Sequence, residues 1–569
     1  MIKITKSNNN KNDEIRIGVF VCHCGSNIGG LLDCKELAEY ASTLPNVAHS
    51  EDNLYTCSET GLSAIKEAIE ENNLNRVVVC SCTPRTHEPL FRETIEEAGL
   101  NKYLFNFVNI RDQCSWVHMK DADAAFDKAK DLIRMGVSKA EYLEPLETII
   151  VKVNPSALVI GGGVTGMSAA INLNNQGYKT YLIEKEEKLG GMLNSLYKLF
   201  PGNEEASTIL HDLNEKIEKS SNLDVYTSST VIDVDGFVGN YDVSIIQNKK
   251  TIVFNVGTII VAIGASRFEP KNMYGYDKKI RITQFELENL LKNNEVSANN
   301  IIMIQCVGAR IEERKYCSNV CCMTALKNAL IIKEKNPAAN ITILFRDLYT
   351  PGVEYEKYYR TAREKGILFL KYSLEKEPEV EQNEVIVFNQ YLGEEMKIPY
   401  DLLVLSTPLI AHKDNNELAQ LLKVPLEENS FFLEAHVKLR PIDFATDGVY
   451  ICGSAKWPVD ISECISQGYA AAARASTILS HDTLEVEGST AFLPEWNKDL
   501  CKGCEVCIKV CPYNAIKKNE DDDIEIIQAL CKGCGVCGAT CTKKAITIRH
   551  FTNEQIISEI YALGGKIIE

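Results

Sequence analysis

Long hydrophobic runs are missing from this sequence. None of its 569 residues belongs to an uncharged apolar stretch of about 18 residues, and the polar first fifteen residues contain no apolar core of signal-peptide length. Positive charge is also in deficit, because 61 Lys and Arg residues face 78 Asp and Glu residues, for a formal net charge of −17. These absences disfavour a membrane protein, an anionic membrane surface and nucleic acid as a partner. We therefore expect a cytoplasmic protein, and its length predicts about three or four domains.

Cysteine, by contrast, is abundant. A disulfide framework is typical of small secreted proteins, so the 21 cysteines of this long chain indicate metal ligation or redox chemistry. Low-potential iron–sulfur clusters would further imply an anaerobic or strongly reducing setting.

The clearest cysteine pattern lies near the C-terminus. The spacing Cys-x2-Cys-x2-Cys-x3-Cys starts at Cys501 and again at Cys531; the first run ends in Pro512 and the second in Thr542. Two such runs are typical of a two-cluster ferredoxin module, in which the fourth cysteine of each run binds the other cluster. Zinc knuckles are the alternative, but zinc has no use for a third and fourth evenly spaced thiolate in each run. The predicted ligand sets are Cys501, Cys504, Cys507 and Cys541 for one [4Fe–4S] cluster, and Cys531, Cys534, Cys537 and Cys511 for the other.

Residues 15–135 alternate strand and helix patterns, which predicts a parallel α/β domain. Ligands bind such sheets at the carboxyl ends of the strands, where the loops converge. The predicted strands span residues 16–21, 47–54, 76–79 and 103–110, and the loop after each contains cysteine. We expect a [4Fe–4S] cluster held by Cys24, Cys57, Cys82 and Cys114, with Cys22 and Cys80 as the alternatives. Because free cysteine also packs as a small hydrophobic residue, simple burial is the competing interpretation, and it is the one we favour for Cys34.

A dinucleotide-binding pattern begins at residue 157. A short apolar strand runs into Gly161-x-Gly163-x-x-Gly166 and then into a helix of small residues, and a second strand ends at Glu184. This order is typical of a pyrophosphate placed at a helix N-terminus, with the carboxylate binding the ribose.

Two later segments indicate which dinucleotide is bound. Residues 257–265 and 447–453 resemble the second and third nucleotide-contact segments of flavoprotein disulfide reductases, so we expect FAD. Those enzymes usually carry Asp where this chain has Ser454. A helix over residues 460–474 could direct its N-terminus at the flavin. The predicted FAD contacts are Gly161, Gly163, Val164, Thr165, Gly166, Glu184, Lys185, Gly191, Met192, Ala262, Gly264, Gly453, Ser454 and Gln467.

The second glycine fingerprint of those reductases, which binds NAD(P)H in a nested domain, is absent from residues 276–400. Four cysteines follow the strand at residues 300–304 instead. A redox-active disulfide needs only two cysteines, so four favour another [4Fe–4S] cluster over a dithiol. The predicted ligands are Cys306, Cys317, Cys321 and Cys322. Lys327 lies about one helical turn beyond them and could contact the flavin or cap a surface.

The whole pattern resembles the A subunit of heterodisulfide reductase. The matching segments are 22–25, 81–89, 113–118, 305–308 and 316–317. The resemblance implies FAD-based electron bifurcation, in which electron pairs are split between a low-potential ferredoxin and a higher-potential acceptor. It also implies four [4Fe–4S] clusters, Lys327 near the reactive flavin nitrogen, and a homodimer within a larger complex. Longer members carry an inserted ferredoxin-like module, whereas residues 207–256 of this chain contain no cysteine.

The implied partners are separate subunits. We expect B- and C-like or other acceptor subunits, a donor subunit linked to hydrogenase, formate or NADH, and ferredoxin. The helix predicted over residues 553–563 would either dock a partner or close the ferredoxin module. Two alternatives to bifurcation are a ferredoxin-linked flavoprotein reductase similar to the small subunit of glutamate synthase, and a non-catalytic electron-wiring subunit.

The predicted fold class is α/β, in three domains. An N-terminal parallel α/β iron–sulfur domain occupies residues 1–150. A thioredoxin-reductase-like flavoprotein domain with two dinucleotide-binding folds covers 151–480, its nested part spanning about 276–400. An α+β two-cluster ferredoxin domain and the C-terminal helix cover 481–569. Cys452 and Cys464 have no assigned role.

Overall fold

The computed structural model describes residues 14–146, 149–486, 499–528, 530–531 and 533–564. The chain forms two compact units, one built from residues 1–151 and 485–569 and the other from residues 152–484. Within the described residues, no helix is both long enough and apolar enough to cross a bilayer.

The first unit begins with a four-stranded parallel sheet in the order β2-β1-β3-β4. Strands β1 and β3 are almost entirely apolar because helices cover both faces of the sheet. The predicted parallel α/β domain is confirmed. Its elements are β1 (Ile17–Cys22), α1 (Cys34–Ser42), β2 (Val47–Asn53), α2 (Glu59–Glu71), β3 (Arg76–Ser81), α3 (Pro84–Glu97), β4 (Phe105–Asn109) and α4 (Ala122–Glu141), followed by the short strand β5 (Ile149–Lys152).

The first part of the second unit is a parallel sheet in the order β23-β12-β6-β7-β8. Helix α11 (Ile461–Leu479) packs tightly on helix α5 (Val164–Asn175), and this packing depends on Gly468, where a β-carbon would lie 2.6 Å from the carbonyl oxygen of Thr165. The elements before the nested part are β6 (Ser156–Ile160), α5 (Val164–Asn175), β7 (Lys179–Ile183), α6 (Ala206–Glu218), β8 (Leu223–Tyr226), β9 (Ser229–Phe237), β10 (Asn240–Gln247), β11 (Lys250–Val256), β12 (Thr258–Val261) and β13 (Ala265–Arg267).

A nested part with its own parallel sheet, in the order β14-β21-β15-β16-β17, lies between β13 and β22. These two strands pair antiparallel and form the passage into and out of it. The remaining elements of the unit are β14 (Arg281–Thr283), α7 (Gln284–Lys292), β15 (Asn300–Ile304), α8 (Cys321–Lys335), β16 (Asn340–Phe345), α9 (Val353–Glu364), β17 (Leu368–Lys371), β18 (Glu379–Val380), β19 (Glu384–Asn389), β20 (Glu394–Pro399), β21 (Leu402–Leu405), β22 (Leu409–Ala411), α10 (Asn415–Leu422), β23 (Val449–Ile451) and α11 (Ile461–Leu479).

The C-terminal segment has the small α+β fold of a ferredoxin module and completes the first unit. Its elements are β24 (Thr483–Val486), α12 (Val506–Val510), β25 (Ile516–Lys518), β26 (Ile524–Ile526), α13 (Val536–Thr540) and α14 (Asn553–Leu563). Strands β25 and β26 pair antiparallel. Helix α14 has the bounds predicted for it and packs on α4, where Arg134 Nε donates to the carbonyl oxygen of Ala562 at 2.6 Å.

Candidate functional site

A cavity of about 400 Å³ opens at the carboxyl ends of strands β6, β7 and β12. It has the size of a cofactor pocket. Most of the predicted FAD contacts line it, namely Gly161, Gly163, Val164, Thr165, Glu184, Lys185, Gly191, Met192, Ala262, Gly264 and Ser454. Gly166, Gly453 and Gln467 do not line it.

The glycines of the fingerprint shape the cavity in different ways. Gly166 is needed for packing, because a β-carbon there would lie 1.8 Å from the carbonyl oxygen of Gly161. Gly161 itself has φ +108 and approaches the carbonyl oxygen of Ala262. Gly163 has ordinary φ, and no protein atom lies within 4 Å of the position of its β-carbon. The empty space beside Gly163, at the uncapped N-terminus of α5, is where a pyrophosphate would fit.

Polar groups at the cavity rim are already oriented by the fold. Glu184, at the end of β7, accepts from the backbone N–H of Gly162 at 2.6 Å and of Glu186 at 2.7 Å. The backbone N–H of Gly453 donates to Gln467 Oε1 at 2.8 Å, so Gln467 positions the loop that leads to Ser454. These residues fit a bound FAD, with Glu184 at the ribose and the N-terminus of α11 facing the cavity through Val459, Asp460 and Ile461.

Lys327 lines the same cavity and is buried in an ion pair. Its ammonium contacts Glu288 Oε1 and donates to the carbonyl oxygen of Lys198 at 2.8 Å. Glu288 Oε1 also accepts from the backbone N–H of Tyr197, whereas Oε2 is buried without a partner. Burial lowers the pKa of Lys327, and the neighbouring Glu288 acts in the opposite direction. The ion pair therefore places an ammonium group at the wall of the cavity, and the pKa of that group depends on both its burial and Glu288.

Glu288 was not predicted as a site residue, although the sequence of helix α7 contains a pattern that indicates its burial. Helix α7 buries Gln284, Leu287, Glu288 and Leu291, which lie on one face at helical spacing. A carboxylate among the apolar positions of an amphipathic helix indicates a buried partner.

The four cysteines of the nested part lie together between the end of β15 and the start of α8. Burial and the neighbouring Cys322 raise the pKa of Cys306, and burial and Cys322 also raise that of Cys317. A hydrogen bond from Cys321 holds the pKa of Cys322 below its usual range, against the effect of burial. Cys306 has φ +60, which turns its loop back toward α8. The structure therefore brings together all four predicted thiols.

This thiol site adjoins the flavin cavity. Val320, Thr324 and Lys327 line the cavity. Val320 lies between Cys317 and Cys321 in the chain, and Thr324 and Lys327 follow Cys322. The start of α8 therefore contributes residues to both the cavity and the thiol site. In a reductase with a nested nicotinamide domain, the pyrophosphate-binding turn follows the corresponding strand.

At the edge of the N-terminal sheet, four thiols interact electrostatically. Burial, then Cys22 and Cys82, raise the pKa of Cys57, and burial dominates at Cys82, with Cys24 and Cys22 adding to it. Cys22 Sγ accepts from the backbone N–H groups of Cys24 and Thr56.

Cys114, Cys80 and Cys34 have different surroundings. Cys114 Sγ donates to the carbonyl oxygen of Ala125 at 3.0 Å. Cys80 is fully buried, and burial raises its pKa. Cys34 is buried as expected, with its thiol facing the carbonyl oxygens of Cys22 and Leu32.

In the C-terminal module, one of the two predicted ligand sets surrounds a small cavity of about 20 Å³. Its lining contains Cys511, Cys531, Cys534 and Cys537, together with the apolar residues Ala515, Ile516, Val536 and Ile548. The chain thus brings the fourth cysteine of the first run to the second run. In the other set, burial raises the pKa of Cys507, with Cys501 and Cys504 adding to it. Cys504 and Cys534 are exposed to solvent.

No three His, Cys, Asp or Glu side chains in the described residues are arranged around a single metal ion.

Comparisons with known proteins found two family models and several solved structures similar to parts of this chain. A family model described as pyridine nucleotide-disulphide oxidoreductase matches residues 155–309, and one described as 4Fe-4S binding domain matches residues 493–516. Two thioredoxin reductase structures, from Lactococcus lactis and T. acidophilum, align with 57% of this chain and 99% and 97% of theirs, at 16% and 15% identity with TM-scores of 0.41 and 0.40.

Curated relatives match nearly the full chain. The CoB–CoM heterodisulfide reductase iron-sulfur A subunit 2 of Methanopyrus kandleri is 38% identical over 90% of this chain and 92% of its own length. The H2:CoB-CoM heterodisulfide,ferredoxin reductase A subunit of Methanothermobacter thermautotrophicus is 37% identical over 97% of both chains. The H2/formate:CoB-CoM heterodisulfide,ferredoxin reductase A subunit of Methanococcus maripaludis is 33% identical over 97% and 99%. The Methanothermobacter alignment spans 649 positions against 569 residues here, so at least 80 positions of that relative have no counterpart.

Proposed function

The chain belongs to the heterodisulfide reductase A-subunit family, and from this premise we propose that it is the electron-bifurcating component of a heterodisulfide-reductase-like complex. As a member of that family, it is an oxidoreductase with an FAD site and a 4Fe-4S ferredoxin module. Bifurcation, the number of clusters and the partner subunits belong to the proposal.

The observation that carries the proposal is the contact between the flavin cavity and the thiol site along the first turn of α8. FAD bound in the cavity accepts an electron pair and can release its electrons singly. Val320 and Thr324 at the wall adjoin the cysteines that would hold a cluster, so one exit for an electron lies directly at the cavity. Lys327 would hold a positive charge, and a proton, beside the flavin ring.

We propose four [4Fe–4S] clusters. One is held by Cys306, Cys317, Cys321 and Cys322, of which all but Cys317 are buried. Two are held by the C-terminal runs, as the crossed set around the small cavity supports. The fourth uses Cys24, Cys57 and Cys82 of the N-terminal sheet, with either Cys114 or Cys22 as the last ligand. The thiol of Cys22 interacts with Cys57 and Cys82, which favours it, whereas Cys114 faces Ala125.

The electron donor and the higher-potential acceptor are proposed to be separate subunits. Relatives are named for H2, formate and ferredoxin, which supports a hydrogenase or formate-linked donor here, and a ferredoxin as the low-potential product. B- and C-like subunits would take the other electron. We propose that ferredoxin takes its electron at the C-terminal module.

Coupled reduction tests the proposal. The purified complex, with its native donor, should reduce ferredoxin only while the higher-potential acceptor is also being reduced. Each electron pair should deliver one electron to ferredoxin and one to that acceptor. Ferredoxin reduction without that acceptor would support the alternative of a non-bifurcating ferredoxin-linked reductase. Full coupling in a Lys327→Met complex would support the other alternative, an electron-wiring subunit.

A further inference from the structure

A buried arginine without a carboxylate partner lies beside the thiol site of the nested part. Arg346 follows strand β16 and is only 9% exposed. Its Nη1 donates to the carbonyl oxygen of Arg310 at 2.8 Å, and its Nη2 to that of Ala309 at 2.5 Å and that of Cys306 at 3.5 Å. Its Nε is buried and makes no hydrogen bond. The guanidinium is thus held against the backbone of the cysteine loop.

The carboxylate next in sequence does not neutralise this charge. Asp347 pairs with Arg310 at 2.7 Å and with Lys371 at 3.4 Å, and it is largely exposed. Across the described parts of the chain, no carboxylate forms an ion pair with Arg346. A buried charge without a counterion is unfavourable, so Arg346 would stabilise an anion bound beside it.

The set of four thiols is a candidate anion beside this guanidinium. Arg346 Nη2 donates to the carbonyl oxygen of Cys306 itself, and its Nη1 donates to that of Arg310, which lies on the same loop. Four thiolates around a [4Fe–4S] core carry a net negative charge, which would complete the electrostatic balance of the site.

We propose that Arg346, assisted by Arg310, raises the reduction potential of a cluster bound at Cys306, Cys317, Cys321 and Cys322, and so makes this site the higher-potential branch for electrons leaving the flavin. The inference rests on the proposed function. One-electron reduction, with the reduced flavin as donor, adds one negative charge to the cluster and breaks no bond. A nearby buried cation stabilises the more negative, reduced form.

The C-terminal module offers the contrast. Among the described residues, the lining of the small cavity at Cys511, Cys531, Cys534 and Cys537 includes no lysine or arginine, and its other groups are apolar, aromatic or glycine. Within the part of the module that the structure describes, a cluster at this cavity has no buried cation like Arg346 in its lining. The same electron would therefore be held less tightly at the C-terminal module, which suits delivery to a low-potential ferredoxin.

A redox titration of the full holoprotein, followed by electron paramagnetic resonance, tests the inference. In Arg346→Met, the oxidised-to-reduced ratio of the nested cluster at a fixed potential should rise about tenfold, equivalent to a downward shift of about 59 mV. Arg346→Lys should recover most of the wild-type potential. The control Lys397→Met, on an exposed strand, should leave it unchanged, and the C-terminal clusters should not move in any variant.

Three outcomes would contradict the inference or its premise. An unchanged nested potential in Arg346→Met with full iron content overturns the inference. If Arg346→Met does not retain the cluster, Arg310→Gln decides, since Arg310 is more exposed: a smaller downward shift supports the inference, and no shift overturns it. If wild-type protein and Cys322→Ser contain the same iron, the cluster itself is absent and the proposed function fails first.

Discussion

The flavoprotein unit and the C-terminal module hold their cysteines in contrasting surroundings. In the nested part, Cys306, Cys321 and Cys322 are buried. The buried Arg346 donates to the carbonyl oxygen of Cys306. In the module, all eight cysteines are at least partly exposed, and charged pairs such as Lys518 with Glu505 lie in solvent. The contrast lies in the surroundings of the thiols: in our proposal, buried charge tunes a cluster at the first site, whereas the second site is open to a partner.

The largest expected effect concerns the thiols themselves. Cys322→Ser should remove the nested cluster completely, because a buried site cannot recruit another ligand, and should lower the iron content by about four per chain. In the module, Cys511→Ser should perturb the cluster of the second run instead of the first. Iron analysis and electron paramagnetic resonance measure both. Cys452→Ser, at a buried cysteine with no assigned role, is the control and should keep all iron; loss of the first-run cluster in Cys511→Ser would contradict the crossed arrangement.

The second effect contrasts a buried ion pair with an exposed one. Glu288→Gln leaves the Lys327 ammonium buried without its anion, and should cost about 3–5 kcal/mol of unfolding free energy. Glu505→Gln removes the exposed partner of Lys518, and should leave stability within error. Denaturant unfolding compares the two variants. Equal, small losses in both would show that the Glu288–Lys327 pair does not behave as a buried one.

The same pair gives a pH dependence. Burial lowers the pKa of Lys327 in the folded state, so the unfolded chain binds more protons between that pKa and the ordinary lysine value of about 10.4. The contribution of Lys327 to stability therefore increases as the pH rises through this window, and it is lowest below the folded pKa. Glu288→Gln should widen this pH window, because Glu288 opposes the lowering of the Lys327 pKa by burial. Unfolding measured from about pH 7 to pH 10, with Lys327→Met as the control that removes the titrating group, checks the sign.

A third prediction distinguishes a substitution that fills the space for the cofactor from one that only strains the backbone. Gly163→Ala adds a β-carbon where the protein leaves space for a pyrophosphate, so FAD affinity should fall by about tenfold or more while the fold is kept. Gly99→Ala, just after α3 in the first unit, also has space but sits at φ +81, so it should cost strain alone and retain FAD. Bound flavin after gel filtration and the melting temperature distinguish them. Unchanged flavin content in Gly163→Ala would contradict the placement of the pyrophosphate.

The smallest effect is expected at the rim of the cavity. Lys185 and Asp414 form a half-exposed pair, and the hydrogen bond from Lys185 lowers the pKa of Asp414. Asp414→Asn should change FAD affinity by less than about 1 kcal/mol, because solvent screens the pair. Titration of the apoprotein with FAD measures it. A loss as large as that of Gly163→Ala would mean that the pair closes over the cofactor.

The same contrast explains how much of the fold and of the sites could be predicted from the sequence. The spacing of the C-terminal cysteines is local, so it predicts the module and its crossed sets directly. The fingerprint around Gly163 and the bounds of β15 and α14 also follow from local patterns. The groups around the buried sites could not be found in this way. Arg346 meets the cysteine loop only through the pairing of β15 with β16, and Cys464 reaches the cavity only because α11 packs on α5.

The N-terminal sheet shows the same limit. Its topology and the convergence of its cysteine loops were predictable, but the direction of each thiol was not. Cys114 turns toward α4, and Cys22 toward the loop that contains Cys57. Which of the two completes a ligand set depends on side-chain orientation, which the period of a strand does not specify.

The most direct test of the central claim is a count of iron, acid-labile sulfide and flavin per chain in anaerobically purified protein. The account predicts about sixteen irons, a matching amount of sulfide, and one FAD. About eight irons with one FAD would contradict it, because that result would confine the clusters to the C-terminal module and leave both the nested thiols and the N-terminal thiols without metal.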